Sequence, residues 1–208
     1  MAKKVIVLHS GGLDSTVCLY EAFAAGYDTI SLGIAYGQRH IIEHYFAKLQ
    51  CDAKGILRQI VQVSWTKPQR DLPLDRDIST IRTQVSPAFL PARNLVFLSI
   101  ASAHSAGIGA DEIWTGINSI DFSGYPDCTP EFFEAFSKVH SIGVGNSILR
   151  APLLLSTKPQ IAKRAKELGL SRYDTWSCYQ PQVLSGDVVP CGRCDACKLH
   201  AYAWESVD

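Results

Sequence analysis

The chain has 208 residues, 47% hydrophobic and 19% charged, with 20 Lys+Arg balancing 20 Asp+Glu. A chain of this size can bury one hydrophobic core without splitting, and it is too apolar to remain disordered. Net neutrality argues against a surface that wraps tRNA or DNA, and no stretch approaches the ~20 apolar residues of a membrane helix.

Lys3-Lys4 is followed only by the short apolar run Val5 to Leu8, too little for a secretory signal, so a cytoplasmic location is expected. Lys4 to His9 predicts a buried parallel strand. Gly11-Gly12 breaks it ahead of a helix predicted from Ser15 to Ala25 and closed by Gly26. Thr29 to Ala35 reads as a second strand, Ile41 to Ala53 as a helix and Ile56 to Val63 as a third strand. This βαβαβ order predicts a parallel sheet with ligands at the carboxyl ends of its strands.

Thr66 to Pro91 contains four prolines and reads as an irregular excursion, long enough for a lid or an oligomer contact. Helices are predicted over Arg93 to Ala106, Pro130 to Val139 and Lys158 to Leu168, with a strand at Glu112 to Thr115. Thr129 suits the N-cap before Pro130, and Gly169 follows the end of the last of these helices. From Trp176 the chain is rich in Cys, Gly and Pro before a short final helix from Lys198. No repeat or linker divides the chain, so 1–208 is expected as one unit with 176–208 as its tail.

Ser10-Gly11-Gly12-Leu13-Asp14-Ser15 sits between the first strand and the first helix, where small residues let backbone N–H groups converge on one point. Helix N-terminal charge and the Ser10 and Ser15 hydroxyls make that point suited to an anion. It is neither G-x-x-x-x-G-K-[ST] nor G-x-G-x-x-G, and an ordinary capped βα turn is the competing reading.

Of the seven cysteines, Cys191, Cys194 and Cys197 are spaced by two residues, and Cys178 lies upstream. Four thiolates fit a tetrahedral, closed and therefore structural Zn²⁺ site. An iron–sulfur cluster, disulfides and a redox pair are the rivals; the ferredoxin run wants a further Cys and Pro where Ala201 and Tyr202 stand. Cys18, Cys51 and Cys128 read as packed bystanders.

Three further segments are dense in polar groups: Tyr36 to His40 after the second strand, Pro91 to Asn94 opening a helix, and Asn118 to Cys128 after the fourth strand. The last combines aromatic faces, carboxylates and an amide, as a planar heterocycle requires, although each segment is also compatible with a structural loop.

The S-G-G-L-D-S stretch resembles the pyrophosphate loop of the PP-loop ATP pyrophosphatases, which split ATP between its α- and β-phosphates. With Y-G-Q-R-H at 36–40, P-A-R-N at 91–94, D-F-S-G-Y-P-D-C-T-P-E-F at 121–132, T-K at 157–158, T-W-S-C-Y at 175–179 and C-G-R-C-D-A-C at 191–197, the chain resembles the 7-cyano-7-deazaguanine synthases of queuosine biosynthesis. The resemblance implies an α/β, Rossmann-like parallel sheet of the PP-loop type with a small zinc-binding tail. It implies a C–N ligase that uses ATP and Mg²⁺ to convert 7-carboxy-7-deazaguanine and ammonia to the nitrile by successive adenylations, without nucleic acid or membrane, as a homodimer.

On this resemblance Leu8, His9, Ser10, Gly11, Gly12, Leu13, Asp14, Ser15, Thr16, Val17 and Cys18 line the nucleotide. Asp14 lies near Mg²⁺, and Lys158 and Arg93 are cations over the phosphates. Tyr36, Gln38, Arg39, Asn94, Asp121 and Tyr125 serve the deazapurine, and Cys178, Cys191, Cys194 and Cys197 hold Zn²⁺. Three departures stand out: Leu155 where the family usually has Asp before T-K, a longer spacer between Cys178 and Cys191, and a compact excursion over 66–90, which bears on the dimer contact. A relative that stops at acyl transfer to another amine, a tRNA-modifying PP-loop enzyme and a non-catalytic nucleotide or zinc module are the alternatives.

Overall fold

The computed structural model describes residues 2–37, 42–64, 72–119 and 125–207. Five parallel strands, Lys4–Leu8 (β1), Asp28–Ala35 (β2), Leu57–Gln62 (β3), Glu112–Thr115 (β4) and Ile148–Arg150 (β5), lie in the order β3-β2-β1-β4-β5. The chain winds outward from β1 to β3, then returns to β4 on the other side of β1. Such a reversal opens a crevice at the carboxyl ends of β1 and β4.

Alternation along β1 feeds both faces of the sheet. Val5 and Val7 pack with Val17 and Leu19 of helix Leu13–Ala24 (α1), with Ile161 of helix Lys158–Glu167 and with Trp204 of helix Asp195–Trp204. Ile6 packs on the opposite face with Leu98 and Ala101 of helix Arg93–Ile108 and Phe136 of helix Pro130–Gly143. Burial of each large apolar side chain contributes about 1.5–3 kcal/mol. In chain order the remaining helices are Ile42–Asp52 (α2) and Ile78–Thr83 (α3), so the four just named are α4 (Arg93–Ile108), α5 (Pro130–Gly143), α6 (Lys158–Glu167) and α7 (Asp195–Trp204).

Several boundaries differ from the sequence reading. Helix α1 starts at Leu13, two residues early, because Gly12 in an extended conformation is its N-cap and no side chain is needed there. Helix α5 runs on to Gly143, since His140 repeats the buried position of Phe136 one turn later. Strand β5 has three residues, too few for a periodic signal. The long spacer before Cys191 is a hairpin, Gln182–Leu184 (β6) and Asp187–Val189 (β7), turned through Ser185 and Gly186 at positive φ. Helix α7 begins at Asp195 rather than Lys198, with Cys194 as its N-cap.

The proline-rich excursion is not irregular throughout. It contains α3, whose N-cap Asp77 accepts from the Ser79 N–H at 2.8 Å. It also braces the tail: Leu74 pairs with Cys194 in a β-bridge, and Arg76 lies 2.6 Å from the buried Asp195 carboxylate. Among the described residues no helix is long and apolar enough to cross a membrane.

Candidate active site and metal centre

A cavity of ≈ 340 Å³ opens at the carboxyl ends of β1 and β4. Its floor is the loop after β1. Gly11 has φ +96°, and a Cβ there would lie 2.3 Å from the Glu43 carbonyl oxygen, so only glycine fits this turn. The loop hydroxyls knit the loop itself. Ser15 Oγ donates to the Gly12 carbonyl at 3.1 Å and meets Ser10 Oγ at 3.1 Å, while Thr16 Oγ1 donates to the same carbonyl at 2.7 Å. The first-turn N–H groups of α1 have no acceptor within the helix, which leaves the loop with donors and positive charge at one point.

From the expected nucleotide stretch, Leu8, His9, Ser10, Gly12, Leu13, Asp14 and Ser15 are on the cavity wall. Gly11, Thr16, Val17 and Cys18 are not; Val17 and Cys18 are fully buried in the core beneath. The imidazole of His9 donates from Nε2 to Gln50 Oε1 at 2.8 Å and meets Ser31 Oγ at 2.9 Å through Nδ1. Burial, with the nearby Arg58 guanidinium, lowers its pKa to about 3 and keeps it neutral. Gln50 extends the network to the Gly11 carbonyl at 3.3 Å, and the Trp176 N–H donates to that carbonyl at 3.0 Å.

The expected cations reach the same cavity. Lys158, at the start of α6, lies 2.5 Å from Asp14 Oδ2, and Asp14 Oδ1 is buried with no hydrogen-bond partner among the described residues. Leu155 is exposed, and the lysine is paired with Asp14. Arg93 opens α4 beside Tyr36, Tyr125 and Tyr179. Burial raises the phenol pKa values of Tyr36 and Tyr179, so both stay neutral near neutrality.

Tyr36 tilts against Phe97 at 5.2 Å between ring centroids, and Tyr125 stacks on Phe89 at 5.2 Å and 24°. Asn94 ties α4 to the turn after Tyr125: its N–H donates to Asp127 Oδ2 and its Nδ2 to the Asp127 carbonyl, each at 3.0 Å. Gln38, Arg39 and Asp121 lie outside the described residues. Cys128 reaches the cavity wall as well, yet burial pushes its thiol up to about 12, which suits a packed thiol and not a nucleophile.

Sequence reasoning assigned no role to Tyr179, Trp176, Phe97, His44 or Glu43, all on the cavity wall. Tyr179 and Trp176 carried a signal: they flank Cys178 in T-W-S-C-Y, so the turn that presents the thiol also delivers both rings. Phe97 follows Arg93 by one helical turn, the spacing that puts two side chains on one face of α4.

The ligand atoms of Cys178, Cys191, Cys194 and Cys197 all lie within 4.8 Å of one another. Tetrahedral Zn–S arms of ~2.3 Å place sulfurs about 3.8 Å apart, and Cys191 Sγ and Cys197 Sγ are 3.9 Å apart. The four thiols therefore fit one central ion. Backbone N–H groups of Gln180 and Cys191 donate to Cys178 Sγ at 3.3 and 3.2 Å, and that of Cys194 donates to Cys191 Sγ at 3.4 Å. Hydrogen bonds from the Cys178 and Cys197 thiols hold Cys194 well below the usual thiol range. None of the seven cysteines forms a disulfide.

Comparison with known proteins gives the site its context. Residues 4–208 match the family model described as "Queuosine biosynthesis protein QueC". The 7-cyano-7-deazaguanine synthase 2 of Rhodopseudomonas palustris (strain HaA2) is 54% identical over 99% of this chain and 98% of its own length. The 7-cyano-7-deazaguanine synthase of Syntrophotalea carbinolica is 40% identical over 96% of this chain and 90% of its own length. Among solved structures, the U34-tRNA thiolase NcsA of Methanococcus maripaludis, with its [4Fe-4S] cluster, aligns at TM-score 0.51 and 14% identity, over 99% of this chain and 65% of that one. That likeness concerns the fold alone. On the family match and the curated relatives, the chain belongs to the QueC family of queuosine biosynthesis, the 7-cyano-7-deazaguanine synthases.

Proposed function

We propose that this single cavity carries both ATP-dependent steps that turn 7-carboxy-7-deazaguanine into its nitrile. A carboxylate oxygen attacks the α-phosphorus of ATP and pyrophosphate leaves. Ammonia then displaces AMP to give the amide, losing a proton. The amide oxygen attacks a second ATP, and loss of AMP and the nitrogen-bound protons leaves the nitrile. Each transfer builds charge on departing pyrophosphate, which preorganised donors and cations stabilise.

The observation that carries this reading is the meeting of the β1 loop, the Asp14–Lys158 pair and Arg93 on one cavity wall. Backbone N–H groups of the loop, with Ser10 and Ser15, hold pyrophosphate, and Lys158 faces the phosphates. The unpartnered, buried Asp14 Oδ1 suits Mg²⁺, a hard cation that neutralises phosphate charge when bound. Arg93 faces the carboxylate and the phosphate it attacks. Tyr36 and Tyr125 present aromatic surface to the deazapurine, Asn94 fixes the Tyr125 turn, and Gln38, Arg39 and Asp121 complete the substrate side.

The thiol cluster is assigned to structural Zn²⁺ held by Cys178, Cys191, Cys194 and Cys197. One ion reaches four sulfurs this close together, whereas a cluster binding each thiolate to a different iron spreads them wider. Four reduced thiols accord with a cytoplasmic location, and the exposed apolar Val139 and Ile142 on α5 accord with a homodimer. The test is mass spectrometry after incubation with 7-carboxy-7-deazaguanine, ATP, Mg²⁺ and ammonia. Nitrile with AMP is expected; amide as the final product, or ADP in place of AMP, would contradict the reading.

A further inference from the structure

Arg58 lies on β3, two strands away from β1, and no motif draws attention to it. Its guanidinium nevertheless ends beside the phosphate loop. Nη1 donates to the His9 carbonyl at 3.2 Å and to Ser31 Oγ at 2.8 Å, and Nη2 donates to His44 Nδ1 at 3.0 Å. The His9 carbonyl belongs to the peptide that enters Ser10, so this contact grips the loop where it leaves β1. His44 is on the cavity wall. Because its Nδ1 accepts from the guanidinium, the neutral ring carries its proton on Nε2 and is fixed as a donor.

The route taken by Arg58 is built into β2. Gly33 leaves open the space the guanidinium crosses; a Cβ there would come 2.5 Å from Nη2. Gly33 is not at positive φ, so backbone conformation does not call for glycine at this strand position, and the arginine does. Among the described residues no carboxylate is hydrogen-bonded to Arg58, and its Nε is buried without a partner. The carboxylate acting on it at longer range is Glu43, also on the cavity wall, and Cys51 is the nearby thiol. A guanidinium keeps its charge at any working pH. Arg58 is partly buried, and a charge in that setting without a bonded counterion costs some stability unless something nearby uses its field.

We propose that Arg58 is a positioning residue for pyrophosphate: it holds the entry of the β1 loop, fixes His44 as a neutral donor and lends the loop the positive charge that the leaving group meets. The inference rests on the loop being the pyrophosphate site. It adds a cation that reaches the phosphates only through His9 and His44, distinct from Lys158 and Arg93.

The test is inhibition of the intact enzyme by pyrophosphate competing with ATP, measured alongside KM for the deazapurine and for ammonia. Competitive inhibition of the unsubstituted protein is expected, and its absence removes the loop reading itself. With that in hand, Arg58→Met should raise the pyrophosphate Ki and the ATP KM roughly tenfold, the size of a hydrogen bond to a charged group, with the other KM values unchanged. Arg58→Lys, which keeps the charge and loses the fork, should recover part of the loss. Gly33→Ala displaces the guanidinium without removing it and should shift the same two constants; the double variant should be no worse than Arg58→Met alone. A Ki within twofold of the unsubstituted protein in folded Arg58→Met, or in Gly33→Ala where Arg58→Met fails to fold, would overturn the inference. So would an equal loss across all substrates.

Discussion

Lys158 Nζ lies 2.5 Å from Asp14 Oδ2, joining the first turn of α6 to the first turn of α1 across 144 positions of sequence. The contact places a cation and a carboxylate at the edge of the loop after β1. The Lys158 and Asp14 side chains are 15% and 25% exposed, so removing one partner leaves the other partly desolvated and costs some stability as well. Lys158→Met should lower kcat/KM for ATP by about 10²–10³, the scale of a lost transition-state donor, in a protein that stays folded. Asp14→Asn should cut AMP release and flatten its dependence on Mg²⁺ concentration. Steady-state kinetics over a Mg²⁺ series, with circular dichroism as the fold control, checks both.

The four-cysteine centre anchors more than the tail. Leu74 bridges Cys194, and Arg76 and Ser86 both bond Asp195 Oδ2, at 2.6 and 2.9 Å, so the proline-rich excursion rests on the same structure. Elemental analysis should find one zinc per chain. Cys191→Ser, or a strong chelator, should remove a contribution on the order of 10 kcal/mol to local order. Hydrogen exchange should then speed up in 72–90 and 176–204 together while β1, β2 and β4 stay protected. Loss of protection confined to the tail would contradict this coupling.

Neutral His9 ties stability to pH. Its folded pKa is about 3 against an ordinary 6.5, so the unfolded chain binds the proton first as pH falls. Stability from this residue is fully present above pH 6.5 and is lost on acidification toward pH 3. Between pH 6.5 and 5, urea unfolding should show the unsubstituted protein losing roughly 1–2 kcal/mol more than His9→Gln. Parallel curves would contradict the assignment.

Ala92 is the N-cap of α4 at φ 63° and ψ 11°, a left-handed conformation that costs a residue with a Cβ about 1 kcal/mol. The strained turn aims Arg93 and Asn94, the first two residues of α4, at the cavity. Ala92→Gly relieves the strain without moving either neighbour. Chemical denaturation should show a gain of up to about 1 kcal/mol, reduced by the added freedom of glycine in the unfolded chain, with activity retained.

The parallel sheet was legible because β1 and β2 carry β-branched, apolar runs, β3 follows in the same βαβ spacing, and α5 and α6 announce themselves through Thr129-Pro130 and through Pro159 with Gly169. The cysteine centre was legible from spacing alone. What stayed hidden depends on tertiary contact. Strand β5 draws its stability from pairing with β4, and the excursion takes its shape from Asp195 and Cys194, more than 100 residues away. Tyr179 enters the cavity because the turn around Cys178 brings it there. Arg58 was invisible for a related reason: a charged residue in an edge strand reads as solvated, and only the missing side chain of Gly33 shows where it goes.

The central claim is that one cavity adenylates two different oxygens of the same substrate in turn. 7-Carboxy-7-deazaguanine labelled with ¹⁸O at both carboxylate oxygens tests it most directly, because each adenylation carries one substrate oxygen away on AMP. The account predicts two AMP per nitrile, each with one ¹⁸O, and unlabelled pyrophosphate. Label in pyrophosphate or inorganic phosphate, or one AMP per nitrile, would contradict it.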